Sequence, residues 1–286
     1  MNKSIYSLLI ILFSFVSVNA QNSHCENLDF SNGDFKNWTG YTWVNSTISQ
    51  VQSTDPVLSY DMQTIMTDQS AYDSNTGNKL KVIPDGFEYS ARLGDLINNT
   101  SVATLRYSLL IDSSNALIIY KFAVVFLDPT NNHEVWEEPR FKITLYDEND
   151  EEIEDCSNYD VYATEASLSG SFETYQLSNQ SDPVVWRDWT TVGADLSAYI
   201  GRTITIEFLA ADCTHLKHYG YAYFVATCQP PELTVKYCSQ DSIAGFLMHT
   251  DGFENMNGLL QMVVSQAMKG KWKLKIHNQV SNILVK

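Results

Sequence analysis

The sequence is poor in basic residues. It has 18 Lys and Arg against 34 Asp and Glu, which gives a formal net charge of −16. Proteins that bind nucleic acid neutralise phosphates with clustered Lys and Arg side chains. Because the acidic excess leaves no basic stripe for that purpose, nucleic acid is excluded as a partner.

Long hydrophobic runs are also lacking. The apolar stretch Tyr6–Val18 is much shorter than the roughly 20 residues that a membrane-spanning helix needs. Lys3 precedes it, and the small-residue sequence Val18-Asn19-Ala20 follows, which together predict a signal peptide over residues 1–20. We therefore expect an exported protein, secreted or on the outer cell surface, with no membrane span once the peptide is removed.

Cysteines and catalytic motifs are scarce. The chain has 5 cysteines, and an odd number in an exported protein leaves at least one outside intramolecular disulfides. No CxxC or Cys/His zinc spacing occurs, and His133, His215 and His218 lack a partner motif. The HExxH, GxSxG, P-loop and Rossmann patterns are absent as well. These absences argue against a structural zinc site and against an enzyme.

What the sequence does contain is a series of short segments rich in β-branched and aromatic residues, separated by polar turn clusters. Such segments predict strands, and many short strands without a long amphipathic helix indicate an all-β sandwich or barrel. The predicted strands are Ala103–Ile111, Ala116–Leu127, Arg140–Tyr146, Phe172–Leu177, Thr203–Ala210 and Tyr219–Ala226. Leu117–Leu127 is almost continuously apolar, which predicts a central strand buried on both faces.

The composition changes towards the C-terminus. Acidic residues dominate up to about residue 240, whereas residues 241–286 hold 5 Lys and 3 acidic residues. Gln229-Pro230-Pro231 has the character of a linker. We therefore expect one domain over residues 21–232. Residues 233–286 are then the truncated or frame-disrupted start of a second, immunoglobulin-like or PKD-like domain, or alternatively a short amphipathic tail.

Aromatic residues supply the candidate ligand site. Exposed rings stack on the apolar faces of sugars, and a neighbouring polar side chain can orient the hydroxyls. Polar loop residues surround three of the tryptophans, and Tyr219, Tyr221 and Tyr223 alternate along one strand and share a face. The candidate ligand-binding residues are Trp43, Trp136, Arg140, Trp186 and Tyr221. The alternative for any of these aromatic rings is a place in the core, which we expect for Trp38 and Trp189.

One turn offers hard oxygen donors. Asp29, Asn32 and Asp34 surround the tight turn Asn32-Gly33-Asp34, and oxygen ligands of this kind suit Ca²⁺. They are the candidate ligands of a structural calcium ion, and we expect no other cofactor. The acidic run Asp147–Asp155 lacks the glycine of an EF-hand loop and is better read as a solvated hairpin loop.

Three stretches carry a family resemblance: Cys25–Trp38, Glu138–Ile143 and Trp189–Cys228. They resemble the N-terminal, carbohydrate-binding-module-like jelly roll of large adhesin-like surface proteins of gliding bacteria. Those proteins continue into PKD or immunoglobulin-like repeats and end in a type IX secretion sorting domain. The resemblance covers about residues 25–255, and MAM-type sandwiches are more loosely similar.

The resemblance implies a jelly-roll β-sandwich that acts as a non-catalytic binding or adhesion module. Its expected partner is a polysaccharide or glycan, or another surface protein. A structural spacer and an accessory domain of a secreted hydrolase are the alternatives. Calcium-bearing jelly rolls often carry an Asp near the position of Val225, so this departure weakens the calcium expectation.

The same fold implies a disulfide pattern. In a jelly roll the first and last strands lie side by side. Cys25–Trp38 resembles the first strand and Cys228 lies on the last, which pairs Cys25 with Cys228. Cys156 and Cys213 then form a second bridge, and Cys238 is left unpaired. Free thiols in place of one of these bridges remain the alternative, because connectivity does not follow from sequence.

Overall fold

A computed structural model describes residues 25–44, 62–96, 100–130, 133–155, 157–215 and 217–230, together with the backbone of four short strands beyond them. One short helix, α1 (Ala163–Leu168), accompanies the strands. The strands are β1 (Trp38–Val44), β2 (Val51–Gln52), β3 (Gln63–Met66), β4 (Ser90–Leu93), β5 (Ser101–Leu110), β6 (Leu117–Leu127), β7 (Arg140–Tyr146), β8 (Tyr159–Tyr162), β9 (Glu173–Tyr175), β10 (Val184–Asp195), β11 (Thr203–Ala211), β12 (Gly220–Gln229), β13 (Thr234–Val235), β14 (Trp272–Ile276) and β15 (Gln279–Ile283).

The strands form two six-stranded antiparallel sheets. The first sheet has the order β2-β1-β5-β11-β7-β8, and the second has the order β3-β4-β12-β6-β10-β9. Chain neighbours such as β5 and β6 lie in different sheets, so the chain crosses repeatedly between the two layers. The predicted all-β jelly-roll β-sandwich is therefore confirmed. The strands β13, β14 and β15 pair with one another in a separate three-stranded sheet.

The main core lies between the two sheets. Alternate residues of β6, among them Tyr120, Phe122 and Phe126, point into it and are fully buried. They meet the inward residues of the first sheet, for example Phe208, whose ring stacks on Phe224 at 4.0 Å between centroids. This alternation is the reason that period-two segments of the sequence became the facing strands of a sandwich.

A second apolar layer covers the outer face of the second sheet. Val125 of β6 belongs to it, with Leu80, Val82 and Ile83 from the segment between β3 and β4. The indole Nε1 of Trp189 donates a hydrogen bond to the backbone oxygen of residue 81 at 2.7 Å and fixes this cover. Strand β6 is consequently buried on both faces, as its continuous apolar sequence predicted.

The N-terminal stretch differs from its expected form. Cys25–Trp38 was expected to contain the first strand, but strand β1 begins only at Trp38 and a series of turns precedes it. Asn27, Phe30 and Asn37 adopt left-handed backbone angles, with φ of 61°, 60° and 70°. The turns bring the Phe30 ring to 4.8 Å from that of Trp38, so the stretch closes one end of the core. Trp38 is 3% exposed, a core residue as expected.

The disulfide between Cys25 and Cys228 is formed, with 6.4 Å between the Cα atoms. Its structural setting differs from the one expected, because Cys25 precedes β1 of the first sheet and Cys228 lies on β12 of the second. The bridge therefore joins the N-terminal turns to β12 of the second sheet. The expected bridge to Cys213 is not formed, since Cys213 is a free and buried thiol held against backbone amides. Cys156 and Cys238 lie outside the described residues.

Residues 1–20 and most of residues 233–286 also lie outside the described part of the chain. The signal peptide and the second domain or tail therefore stay predictions. Within the part of the chain that the structure describes, no helix has the length and apolar character to cross a membrane.

Candidate functional site

The outer face of the first sheet carries a row of partly exposed side chains. The strand register aligns Trp43 with Val102, Val102 with Ala211, and Ala211 with Arg140. Arg140 is in turn aligned with Tyr162 on β8, the edge strand of the first sheet. Two residues expected to bind ligand, Trp43 and Arg140, therefore share one face and one row although they are far apart in the sequence. We call the outer side of the first sheet the open face.

The dimensions of this row follow from sheet geometry. Neighbouring strands are spaced by about 4.8 Å, so Trp43 and Arg140 are separated by about 14 Å. The small side chains of Val102 and Ala211 lie between them. Tyr41, on the same face of β1, has its ring 6.4 Å from that of Trp43, with the planes 25° apart. The row is thus a low apolar strip with aromatic rings at one end and a guanidinium at the other.

Arg140 is held rigidly at its end of the row. Its Nε donates a hydrogen bond to Oδ1 of Asp160 at 2.7 Å, and its guanidinium lies 4.8 Å from the centre of the Tyr162 ring. The hydrogen bond to Asp160 raises the pKa of Arg140. A guanidinium has five N–H donors, and those not directed at Asp160 can meet ligand hydroxyls without a loss of side-chain freedom.

The next rows of the open face are charged. Arg106 contacts Glu207 at 3.4 Å and Asp150 at 2.6 Å, and its guanidinium lies 4.9 Å from the Tyr146 ring centre. Burial raises the pKa of Glu207, and the charge of Arg106 opposes that effect. Lys142 pairs with Glu152 at 3.1 Å. These carboxylates are all engaged with cations, so they orient side chains on the face.

Trp136 is exposed on a turn near the same end of the sandwich. It lies within the 3-10 turn Val135–Glu137, just before β7, and 71% of its surface is exposed. The backbone oxygen of Glu137 accepts a hydrogen bond from the amide of Thr214 at 2.9 Å. The turn with Trp136 is thereby joined to the loop after β11.

Two of the expected ligand-binding residues are buried. Trp186 is 2% exposed and Tyr221 is 0% exposed. Both belong to the apolar layer beneath the segment between β3 and β4. The prediction that they reach a ligand surface is therefore wrong, because the segment covers their side of the second sheet. Trp189, expected in the core, is half-buried and packs against both apolar layers.

Tyr221 is part of a buried hydrogen-bond network instead. The hydroxyls of Tyr221 and Tyr223 donate to Oδ2 of Asp73 at 2.7 and 2.9 Å. Oδ1 of Asp73 accepts the amide of Asn75 at 2.8 Å. Burial and the Asp73 carboxylate raise the pKa of both tyrosines far above the ordinary value. The network fastens the covering segment to the second sheet.

The expected calcium ligands lie in the turns before β1. Asp34 Oδ1 accepts hydrogen bonds from the amide of Lys36 at 2.9 Å and from the Asn27 side chain at 3.1 Å. Asp29 Oδ1 accepts the amide of Ser31 at 3.1 Å. The backbone amide of Asn32 donates a hydrogen bond to Oδ1 of Asn27 at 2.9 Å. These contacts hold the turn through protein donors, and calcium at this place stays a prediction.

Asp212 is a buried carboxylate directly after β11, and no sequence pattern predicted its burial. Its Oδ2 accepts the Ser101 hydroxyl at 2.6 Å, and its Oδ1 accepts the Gly220 amide at 2.9 Å. Burial raises the pKa of Asp212 to about 7, with a contribution from Asp95 and against the effect of these hydrogen bonds. Asp212 therefore joins the starts of β5 and β12 in a manner that depends on pH.

A further cluster lies beside Asp212, in the loops at the same end. His133, Cys213 and His218 place one potential metal-ligand atom each within 4.8 Å of one another. Burial lowers the pKa of His218, which favours the neutral imidazole. No sequence motif indicates this cluster, because His133 comes from the loop before β7 and the other two residues come from the loop after β11.

Known proteins resemble this chain in architecture. No protein-family model matches the sequence, and no curated protein matches it. The carbohydrate-binding module TmCBM61, solved with β-1,4-galactotriose, has a TM-score of 0.35 and 10% identity over 72% of this chain and 98% of the module.

Two further solved structures are comparably similar. The module CBM27-1 of Caldicellulosiruptor saccharolyticus, solved with mannohexaose, has a TM-score of 0.34 and 10% identity over 71% of this chain and 95% of that one. The K2 cleaved adhesin domain of Lys-gingipain has a TM-score of 0.30 and 11% identity over 67% and 88%. At such identities the likeness concerns the fold and leaves the ligand of this chain open.

Proposed function

We propose that this chain is a secreted or cell-surface, non-catalytic module that binds a polysaccharide or glycan on its open face. The observation that carries the proposal is the asymmetry of the two sheets. The outer side of the second sheet is covered by an apolar segment, whereas Trp43, Arg140 and Tyr162 stay partly exposed on the first. The open face is therefore the broad sheet surface on which an extended ligand can lie.

The chemistry of the open face suits a sugar chain. The paired rings of Tyr41 and Trp43 offer flat apolar surfaces for pyranose rings, and Arg140 offers fixed N–H donors for hydroxyls. Because Asp160 and the Tyr162 ring already hold the Arg140 guanidinium, binding needs little reordering of that side chain. A preformed site of this kind binds without a large conformational change.

The proposal of a non-catalytic role rests on the carboxylates of the same face. Glycoside hydrolysis needs two carboxyl groups, one of them free to give a proton, held about 5–10 Å apart across the scissile bond. Asp150, Glu152 and Asp160 are each in an ion pair with a cation of the face, and Glu207 faces Arg106. Such pairing suits the positioning of side chains.

The experiment is a glycan-array and polysaccharide affinity-electrophoresis screen of the whole chain, followed by variants. Trp43→Ala should weaken binding at least tenfold, about 1.4 kcal/mol, because Trp side chains dominate binding energies. The matched control is Tyr72→Ala, since Tyr72 is 51% exposed on the segment over the second sheet. It should leave the affinity unchanged.

Three outcomes would contradict the proposal. Absence of binding to every glycan, together with stable self-association of the chain, favours a structural spacer. Equal weakening by Trp43→Ala and Tyr72→Ala removes the open face as the site. Release of reducing sugar from a bound polysaccharide, abolished in Glu207→Gln, makes the module a hydrolase.

A further inference from the structure

Three side chains with soft or borderline metal-ligating atoms meet at one end of the sandwich. Cys213 lies near the start of the loop between β11 and β12, and His218 lies near its end, with the Cys213 amide donating to the His218 oxygen at 2.9 Å. His133 reaches them from the loop before β7, and its ring centre lies 4.9 Å from that of His218. The three potential ligand atoms all lie within 4.8 Å of one another.

Two of these side chains are almost fully buried, and imidazole nitrogens of the cluster lack the partners that burial requires. Cys213 is 0% exposed and His218 is 4% exposed. Among the described residues, Nδ1 of His218 and both ring nitrogens of His133 have no hydrogen-bond partner. An unpartnered buried nitrogen carries a desolvation cost, and a single ion at this point would satisfy one nitrogen of each imidazole.

The surroundings are those of a metal ligand set. His218 Nε2 lies 3.3 Å from Oδ2 of Asp182, and Oδ1 of Asp182 accepts the Thr130 hydroxyl at 3.1 Å. A carboxylate on the far nitrogen of a histidine fixes the tautomer that leaves the near nitrogen as a ligand. Here the near nitrogen is Nδ1.

The sulfur is prepared in a comparable way. Cys213 Sγ accepts the backbone amides of His218 at 3.2 Å and of Lys217 at 3.5 Å. These two contacts fix the position of the sulfur, and cysteine binds metal as the thiolate.

We propose that Cys213, His218 and His133 bind a zinc-like divalent transition-metal ion through Sγ, Nδ1 and one imidazole nitrogen. Thiolate and imidazole ligands select zinc over calcium or magnesium, which take oxygen ligands. In a tetrahedral zinc site the ligand atoms are about 3.3–3.6 Å apart, so these three need to approach by at most about 1.5 Å. Water occupies the fourth position. The ion would join the loop before β7, which carries Trp136, to the loop after β11.

The test is a titration of the full chain, purified and then freed of metal with a chelator, with Co²⁺ as a spectroscopic probe and Zn²⁺ as competitor. The wild-type protein should bind one equivalent and show a thiolate-to-cobalt charge-transfer band in the near ultraviolet, which Zn²⁺ abolishes. Zn²⁺ at a hundredfold excess over its Kd should raise Tm by about 5–10 °C.

Variants separate this site from adventitious binding. Cys213→Ser should lose the charge-transfer band, and His133→Gln, a change in a loop, should weaken binding at least tenfold. Asp182→Asn should weaken it by about 10–100-fold through the orientation of His218. The matched control is His215→Gln, because the His215 ring also lies beside that of His133, at 4.5 Å between centres, but its Nε2 pairs with Glu137 and its side chain is 49% exposed. It should keep the affinity within about threefold.

Far-UV circular dichroism of each metal-free variant shows whether it is folded. If Cys213→Ser is unfolded, the affinity of His133→Gln for Co²⁺ tests the proposed site. The proposal is overturned if folded wild-type protein binds no stoichiometric metal. It is also overturned if only His215→Gln loses binding, or if peptide mapping of unreduced protein shows Cys213 in a disulfide with Cys156.

Discussion

Asp212 should make the stability of the fold depend on pH in an unusual direction. Most carboxylates in folded proteins have lowered pKa values and lose their stabilising effect as pH falls. Burial raises the pKa of Asp212 from 3.8 to about 7. Between these two values the folded state holds a proton on Asp212 that the unfolded state has released, so its contribution is fully present below about pH 4 and is lost as pH rises through about 7.

The magnitude follows from the size of the shift. One pKa unit corresponds to about 1.4 kcal/mol, so a shift of about three units corresponds to at most ~4 kcal/mol across this window. Asp212→Asn keeps the shape of the side chain and removes the titration. The free energy of unfolding of the variant, relative to the wild type, should therefore rise by about 1–1.4 kcal/mol per pH unit from about pH 4.5 to 7 and then level off.

The assay is urea denaturation of both proteins at half-unit pH steps. Ser101→Ala provides a second check, because the Ser101 hydroxyl at 2.6 Å stabilises the ionised carboxylate. Its removal should move the levelling-off point to higher pH. A difference in the free energy of unfolding between Asp212→Asn and wild type that stays constant from pH 4.5 to 8 would contradict the raised pKa of Asp212. It would mean that Asp212 is ionised throughout this range.

Three further predictions concern stability and are each checked by chemical denaturation at neutral pH. Replacing Cys25 and Cys228 together by Ser should cost about 3–5 kcal/mol, since the bridge closes a separation of 203 residues; an unchanged midpoint would contradict this. Tyr221→Phe should cost about 1–3 kcal/mol, because Asp73 loses one of its buried donors, and a neutral effect would mean that the network is dispensable. Gly94→Ala should cost about 1–3 kcal/mol or more, because φ of Gly94 is 91° and the new Cβ would lie 2.5 Å from the backbone oxygen of residue 220. A stabilised variant would contradict the left-handed backbone conformation of Gly94.

Sequence patterns predicted those strands well that a local run of alternating or apolar residues defines. Arg140–Tyr146 is a strand with the predicted bounds, and the apolar run Leu117–Leu127 is the buried centre of a sheet. Strand β10 was not predicted, because its polar residues around Arg187 and Asp188 break the alternation, and a register shift occurs there. The helix α1 has only 6 residues and is too short to show a helical period in its apolar residues.

The candidate site was predicted only in part, because exposure depends on tertiary contacts. Trp43 and Trp186 have similar polar sequence neighbours, yet only Trp186 lies under the segment between β3 and β4. Strand alternation separates the two faces of a strand but does not show which face is covered. The cluster of His133, Cys213 and His218 escaped detection for a related reason, since metal motifs are recognised by close sequence spacing and these residues meet only through the fold.

The location of a bound glycan distinguishes binding on the open face from binding elsewhere on the sandwich. Hydroxyl-radical footprinting with mass spectrometry measures the oxidation of each tryptophan in the free protein and with a saturating polysaccharide identified by the screen. We expect at least a threefold protection of Trp43, while the buried Trp186 reacts slowly in both states. A polysaccharide that binds and leaves the oxidation of Trp43 and Tyr41 unchanged would contradict binding on the open face.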